Sequence, residues 1–161
     1  MKQTRQVPSL GPRGEGWVAL QVLAFLGVAL AVLLGPRWTP PQALAVVAAF
    51  AAAIGVTLMM SALLSLQQAG ALSAFPRPLE GERKPLTQGP YALARHPIYG
   101  GLLLLTAAVC CWFPLALVPL IGLAAIFRAK SELEERWLLE RYRGYAAYRK
   151  RVRHRLVPYV W

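Results

Sequence analysis

Three stretches of the chain are apolar and contain no Asp, Glu, Lys or Arg: residues 17–34, 41–66 and 98–127. The charged positions lie before, between and after these stretches. An uncharged apolar run of 18 or more residues is typical of a transmembrane helix, because about 20 helical residues cross the hydrocarbon core of a bilayer. The pattern therefore predicts an all-α integral membrane protein whose first two spans are residues 17–34 and 41–66.

The third apolar stretch, residues 98–127, has a length that fits neither one span nor two. It is too long for one ordinary transmembrane helix and too short for two complete ones. Trp112, Phe113 and Pro114 lie near its middle, and proline disfavours helix at the residue before it. We therefore expect a hairpin of two short helices, which brings the total to about four transmembrane segments. A single long kinked helix is the alternative.

The charge distribution predicts the orientation in the membrane. A polar loop at residues 67–97 and a tail at residues 128–161, helical in pattern and strongly basic, flank the third stretch. With four segments, the amino-terminal leader, this loop and the tail share one side, which holds 17 of the 18 Lys and Arg residues. The positive-inside rule makes that side cytoplasmic, so we expect both termini there. With three segments the ten tail charges would face outside, which the rule opposes.

Composition narrows the possible classes of protein. The chain has 161 residues, enough for one domain, and a net charge of +11. Because the positive charge flanks the apolar stretches, membrane orientation and anionic lipid headgroups explain it better than nucleic-acid binding. The two cysteines, Cys110 and Cys111, are adjacent within an apolar stretch, and neither a disulfide nor a metal site is expected.

Residues capable of chemistry occur in two clusters on the predicted cytoplasmic side. The first cluster is Leu86–Gly100, which combines turn-forming residues with Arg95, His96 and two tyrosines. Polar residues at a membrane boundary are costly without a partner and are often functional. The competing interpretation is that Arg95 and the tyrosines simply anchor the chain at the interface.

The second cluster lies at the start of the basic tail and consists of Lys130, Ser131, Glu132, Glu134 and Glu135. Lys130 and Glu134 are four residues apart, so they share one helical face and can pair. The competing interpretation is a solvated helix with surface ion pairs, which contribute little to stability. Composition and spacing alone leave both interpretations open.

The two clusters together resemble a known family. The segment Gly89-Pro90-Tyr91-x3-Arg95-His96-Pro97-x-Tyr99 resembles the central signature of the isoprenylcysteine carboxyl methyltransferases and related phospholipid methyltransferases. The preceding Phe75-Pro76-Arg77-Pro78 resembles the proline-rich lead-in of many bacterial members. The later segment Glu134-Glu135-x2-Leu138-x3-Tyr142-x2-Tyr145-x2-Tyr148-x3-Val152 resembles their second conserved block. The resemblance covers residues 75–158, about half of the chain.

The resemblance implies a small membrane enzyme that uses S-adenosyl-L-methionine, held between the 67–97 loop and the last helix. On this template Pro85 and Leu86 line the opening to the cofactor and Tyr91 packs against it. Its polar end is then wrapped by the run His96, Pro97, Ile98 and Tyr99. Glu134 is expected to hold a polar group of the cofactor, such as the α-amino group or a ribose hydroxyl.

Two cations are candidates for catalysis. Lys130 is expected to face the substrate, and Arg95 is expected either to bind the cofactor carboxylate or to order the loop. The acceptor implied is membrane-soluble, most simply a carboxylate of an isoprenylated cysteine or a related lipid. The family commonly has Phe-Gly where this chain has Tyr142-Arg143, and Pro where it has Arg153. These departures bear on the substrate class more than on cofactor use.

Two other classes compete with a methyltransferase. A nicotinamide-dependent membrane reductase of the sterol type also resembles Gly-Pro-Tyr, Arg-His-Pro-x-Tyr and a closing Val157-Pro158-Tyr159, but that family is much longer and has many more spans. A small membrane protein without catalysis is the third class.

Overall fold

The computed structural model describes residues 7–71 and 85–160, and within these residues all regular structure is helical. The lead-in at 75–78 lies outside the described residues, as does the whole of 72–84 within the 67–97 loop. Two single 3-10 turns, at Gly89–Ala92 and Pro114–Ala116, precede α3 and α4 respectively. The α-helices are α1 Glu15–Leu34, α2 Gln42–Gln68, α3 Pro97–Cys110, α4 Leu117–Arg141 and α5 Tyr145–Arg151. For the described residues, the prediction of an all-α fold is confirmed.

Helix ends fall where the sequence disfavours helix. Proline at the first position of α3 has the φ angle that a helix requires and needs no backbone donor there. The break between α3 and α4 includes Phe113, whose backbone (φ −128°, ψ 79°) lies outside the helical region that Pro114 disfavours at the residue before it. Residues 98–127 therefore form two helices and not one kinked helix.

The second helix of this pair is longer than expected. We expected a short helix ending near Phe127 and a separate basic helix from Arg128, whereas α4 continues to Arg141. Residues 123–141 contain neither Gly nor Pro and are rich in Ala, Leu, Glu, Lys and Arg, so nothing in the sequence interrupts the helix. The chain then bends at 142–144, and the short helix α5 follows.

Two antiparallel helix pairs build the core. Helices α2 and α3 meet at two glycines: a Cβ on Gly101 would lie 2.6 Å from the backbone oxygen of Gly55. Such close backbone contact through small residues is typical of membrane helix pairs. Helix α1 packs along α4, where the rings of Phe25 and Phe127 are 6.4 Å apart. Between the pairs lies a buried apolar cluster of Leu103, Leu123, Phe127 and Leu156.

The outer surface of the helices is apolar. On α1, Leu23, Leu33 and Leu34 are more than half exposed, as are Val47, Phe50 and Ile54 on α2 and Val118 and Ile121 on α4. Large exposed apolar surface of this kind is unstable in water and suits contact with lipid tails. The structure is therefore compatible with insertion into a membrane.

Among the described residues, three helical segments are long and apolar enough to cross a membrane: Glu15–Leu34, Gln42–Gln68 and Pro114–Arg141. Helix α3, with 14 residues, spans only about 21 Å at 1.5 Å per residue, which is less than the hydrocarbon thickness of about 30 Å. The expected count of four spanning segments therefore stays a prediction, as does the side on which the termini lie.

Candidate functional site

The first motif forms a bend that leads into α3. The 3-10 turn at Gly89–Ala92 begins with Gly89 at φ +59°, a left-handed conformation that favours glycine. The chain then passes through Arg95 and His96, whose backbone N–H groups donate to the carbonyl oxygens of His154 and Arg155 at 3.0 and 2.8 Å. The motif is thus tied to the carboxyl-terminal segment by backbone hydrogen bonds.

Arg95 is buried, and its guanidinium is held on several sides. Its Nε donates to Oε1 of Glu135 at 2.8 Å, and its Nη1 donates to the carbonyl oxygens of Val152 and Arg153 at 2.7 and 2.8 Å. This geometry fits one of the two roles expected of Arg95, the ordering of the loop. Binding of a cofactor carboxylate by Arg95 stays a prediction.

Glu135 is the centre of a buried charge cluster that sequence reasoning did not assign to the site. Glu135 is 2% exposed. Its Oε1, which accepts from Arg95, also lies 3.4 Å from Nε of Arg155 and 3.4 Å from Nε2 of His96. Arg149 approaches the other oxygen at 3.3 Å. A buried carboxylate is tolerated only when cations and donors compensate its charge, and here cations from three segments do so. Glu135 belongs to the second cluster and to the second segment that resembles the methyltransferases, but no role was predicted for it.

The neighbouring carboxylate, Glu134, contacts the motif directly. Nδ1 of His96 lies 3.1 Å from its Oε2, and the Tyr99 hydroxyl donates to its Oε1 at 2.5 Å. The structure therefore brings together His96, Tyr99 and Glu134, although 35 residues separate Tyr99 from Glu134 along the chain. A carboxylate has about four acceptor positions, so these two contacts do not exhaust the capacity of Glu134.

Aromatic rings stack next to this carboxylate. The Tyr99 ring is parallel to the Phe127 ring, with centroids 4.6 Å apart, and to the His96 ring at 5.7 Å. Lys130 Nζ lies 5.1 Å from the Tyr99 centroid and donates to Oε1 of Gln21 at 2.9 Å. Lys130 is thus at the edge of the same cluster, where α1, α3 and α4 meet.

Two competing influences set the protonation of His96. Burial by itself lowers the pKa of this imidazole, but the negative charges of Glu134 and Glu135 and the close contacts with their carboxylates outweigh it and raise the pKa above the ordinary 6.5. The Nε2 atom is buried and has only the 3.4 Å ion-pair contact with Glu135, without hydrogen-bond geometry. The site therefore favours a positively charged His96 between two carboxylates.

The tyrosines around the motif are buried and neutral. The Tyr148 hydroxyl donates to the Tyr91 carbonyl oxygen at 2.7 Å. Burial raises the pKa of Tyr148 to about 12, an effect that nearby Arg95 reduces. Burial likewise raises the pKa of Tyr91 and Tyr145. These rings therefore act as hydrogen-bonding and packing groups at neutral pH.

The remaining predicted site residues surround this cluster at different depths. Pro85 and Leu86 are half-buried just before the 3-10 turn, and Tyr91 is buried within it. In the first turn of α3, Pro97 is fully buried and Ile98 half-buried. Whether these side chains contact a cofactor stays a prediction.

A concave region of about 490 Å³ lies elsewhere, lined by Pro36, Arg37, Trp38 and Pro114. Pro114 precedes α4, and Glu134 lies about 30 Å further along at 1.5 Å per residue. None of the predicted site residues lines this region, so we do not assign the site to it. Among the residues that the structure describes, no group of three or more His, Cys, Asp or Glu side chains could hold a metal ion.

Comparisons with protein-family models, with curated proteins and with solved structures find no match for the chain. The membrane-compatible fold and the cluster centred on Glu134 and Glu135 are therefore the basis for a proposal of function.

Proposed function

We propose that this protein transfers a methyl group from S-adenosyl-L-methionine to a membrane-soluble acceptor, most simply a carboxylate of an isoprenylated cysteine or a related lipid. The observation that carries the proposal is the contact of His96 and Tyr99 with Glu134. These residues belong to the two separate segments that resemble the methyltransferases. Their contact at one end of the bundle supports a common binding site for both segments.

The side chains fit the chemistry of this cofactor. S-adenosyl-L-methionine supplies a methyl group already activated on a positively charged sulfonium, so the protein needs to position the reactants and exclude water. Glu134 suits the cationic amino group or a ribose hydroxyl through its remaining acceptor capacity. The stacked ring of Tyr99 provides an aromatic face of the kind that attracts cations.

Lys130 suits the acceptor. A carboxylate acceptor needs a nearby cation but no base, because it is already ionised at neutral pH, whereas an amine acceptor needs a group that takes its proton. The ammonium of Lys130 lies beside the Tyr99 ring, and the exposed apolar surface of α1 offers a lipid-soluble acceptor a lateral approach. This arrangement favours a lipid carboxylate over an amine.

Calorimetry with adenosylhomocysteine tests cofactor use. A charge-assisted hydrogen bond contributes about 1.5–3 kcal/mol, so Glu134→Gln should weaken the affinity about ten- to hundredfold. The matched control is Glu140→Gln, an exposed glutamate on the same helix, which should bind as the wild type does. Equal losses in the two variants would mean that Glu134 is only part of a solvated helix face.

Mass spectrometry of a lipid extract incubated with the purified protein and methyl-labelled cofactor tests the reaction itself. The expected result is a labelled lipid ester that is lost in Glu134→Gln. Stabilisation of the protein by a reduced nicotinamide and not by adenosylhomocysteine would instead favour the sterol-type reductase.

A further inference from the structure

The connection between α1 and α2 carries a single charge within a long apolar part of the chain. Arg37 is the only charged residue in 16–76, and residues 96–131 contain no Asp or Glu. Its side chain is exposed, and among the described residues no carboxylate forms an ion pair with it. The counter-charge for this guanidinium therefore comes from outside the protein.

Arg37 lines the concave region of about 490 Å³ described above, together with Pro36, Trp38 and Pro114. This volume lies within the range of about 300–1,000 Å³ that is typical of small-molecule sites. The guanidinium shares the region with an indole ring and with two proline rings, which restrict the backbone on either side of it. The region therefore has space beside a cation for a small anionic group, and its other walls are apolar.

Two separate turns of the chain build this region and are joined to each other. The backbone N–H of Trp38 donates to the carbonyl oxygen of Trp112 at 2.8 Å, which links the α1–α2 connection to the break between α3 and α4. Ala31, Cys110 and Ala116 form a buried cluster where the same elements meet. Simple anchoring of an arginine and a tryptophan at the membrane interface needs neither a second segment nor a concave surface. The architecture therefore favours a binding site over anchoring alone.

Exposed apolar side chains adjoin the concave region. Leu33 and Leu34, at the end of α1, are 76% and 80% exposed, and Leu115 is 52% exposed. Helices α1 and α2 are both long and apolar enough to cross a membrane, so the short connection between them lies at the level of the lipid headgroups. A phospholipid with its phosphate at Arg37 would have its acyl chains against these leucines, which are otherwise uncovered.

We propose that the concave region at Arg37 binds the phosphate of an anionic phospholipid, with the acyl chains along the exposed leucines beside it. An arginine can donate two parallel N–H groups to a phosphate, and basic pockets between membrane helices bind lipid headgroups. A zwitterionic lipid brings its own ammonium near the guanidinium, so a lipid with net negative charge is preferred. Pro114 and Glu134 lie about 30 Å apart along α4, so this site is separate from the proposed methyl transfer and does not depend on it.

Native mass spectrometry of the full chain in detergent tests the site, with dioleoylphosphatidylglycerol as the probe and dioleoylglycerol as its counterpart without phosphate. Arg37→Gln should weaken binding of the first phosphatidylglycerol about tenfold or more, the range of a charge-assisted hydrogen bond, with dioleoylglycerol affinity unchanged. The matched control is Arg128→Gln, the same change at another exposed arginine that borders an apolar stretch, and it should bind as the wild type does. A phosphatidylglycerol with a photoreactive headgroup should label residues 33–38 and 112–116 of the wild type.

Several results would overturn the assignment. Equal phosphatidylglycerol affinity in the wild type and in Arg37→Gln would remove the site, and equal losses in Arg37→Gln and Arg128→Gln would indicate only general attraction between basic residues and anionic lipid. Displacement of the lipid by an equal concentration of glycerol 3-phosphate would indicate a soluble phosphate ester as the ligand instead of a phospholipid. Glu134→Gln should bind phosphatidylglycerol as the wild type does, and a parallel loss in that variant would contradict two separate sites.

Discussion

Arg95→Lys is the substitution that most directly tests the structural role of the motif. The change keeps the positive charge and much of the length of the side chain. In the structure the guanidinium makes three hydrogen bonds, one to the Glu135 carboxylate and two to the carbonyl oxygens of Val152 and Arg153. Two different nitrogens of the planar guanidinium, Nε and Nη1, donate these three bonds. A lysine ammonium has a single nitrogen, which cannot occupy both positions.

The energetic cost follows from the hydrogen bonds that a lysine cannot make. If the lysine keeps the ion pair with Glu135, two backbone carbonyl oxygens are left without their donor at a buried site, and each bond from a charged donor contributes about 1.5–3 kcal/mol. Allowing for partial relaxation of the carboxyl-terminal segment, we expect the free energy of unfolding to fall by about 3 kcal/mol. Interfacial anchoring alone predicts almost no change, because lysine anchors as well as arginine does.

Unfolding by increasing SDS in mixed micelles, followed through tryptophan fluorescence, measures this difference. Arg143→Lys is the matched control, since Arg143 is exposed in the bend between α4 and α5. The control should lie within about 0.5 kcal/mol of the wild type. If Arg95→Lys is as stable as Arg143→Lys, the clamp between Arg95, Glu135 and the carboxyl-terminal carbonyls does not stabilise the fold.

Three further outcomes are expected. Because the folded-state pKa of His96 is raised, its contribution to stability is complete below the unfolded pKa near 6.5 and is lost as the pH rises through the higher folded value. A series of unfolding measurements from pH 6 to 9 should show this fall, and His96→Gln should flatten it. Gly101→Ala should lower the free energy of unfolding by about 1–3 kcal/mol, because the new Cβ would lie 2.6 Å from the backbone oxygen of Gly55 on α2. The control Gly122→Ala, where a Cβ meets open space, should be neutral or stabilising in the same assay. A reporter fused at the carboxyl terminus should lie in the cytoplasm, and a reporter inserted in residues 35–41, between α1 and α2, should lie on the opposite side of the membrane. A non-cytoplasmic signal from the carboxyl-terminal fusion would contradict the four-segment topology.

The helices were largely predictable because hydrophobicity is a local property of the sequence. Helix α1, Glu15–Leu34, and helix α2, Gln42–Gln68, begin and end within two residues of the predicted spans. The extension of α4 to Arg141 was not predicted, since the transition from apolar to charged residues at position 128 suggested an end. The residues change from apolar to charged at that point, but the residue types on both sides favour a helix.

The partners of buried polar residues were not predictable from spacing. Lys130 and Glu134 share a helical face, yet the hydrogen bonds described above connect Lys130 with Gln21, 109 residues away, and Glu134 with His96 and Tyr99. Helical periodicity shows which residues share a face, but it does not show which other segment packs against that face. The approach of the two motif segments was expected only from the resemblance to the methyltransferases.

The adjacent glutamates show how one turn of helix can serve both the fold and the site. Consecutive residues on an α-helix point about 100° apart, so Glu134 and Glu135 share His96 as a neighbour but otherwise have different partners. Glu135 is 2% exposed and has Arg95 and Arg155 as partners, a set of cations from the motif and from the carboxyl-terminal segment. Glu134 is paired with neutral Tyr99 and with His96, whose charge depends on pH. Glu135, compensated by arginines, ties the motif to the carboxyl-terminal segment, whereas Glu134 is the carboxylate that we propose binds the cofactor.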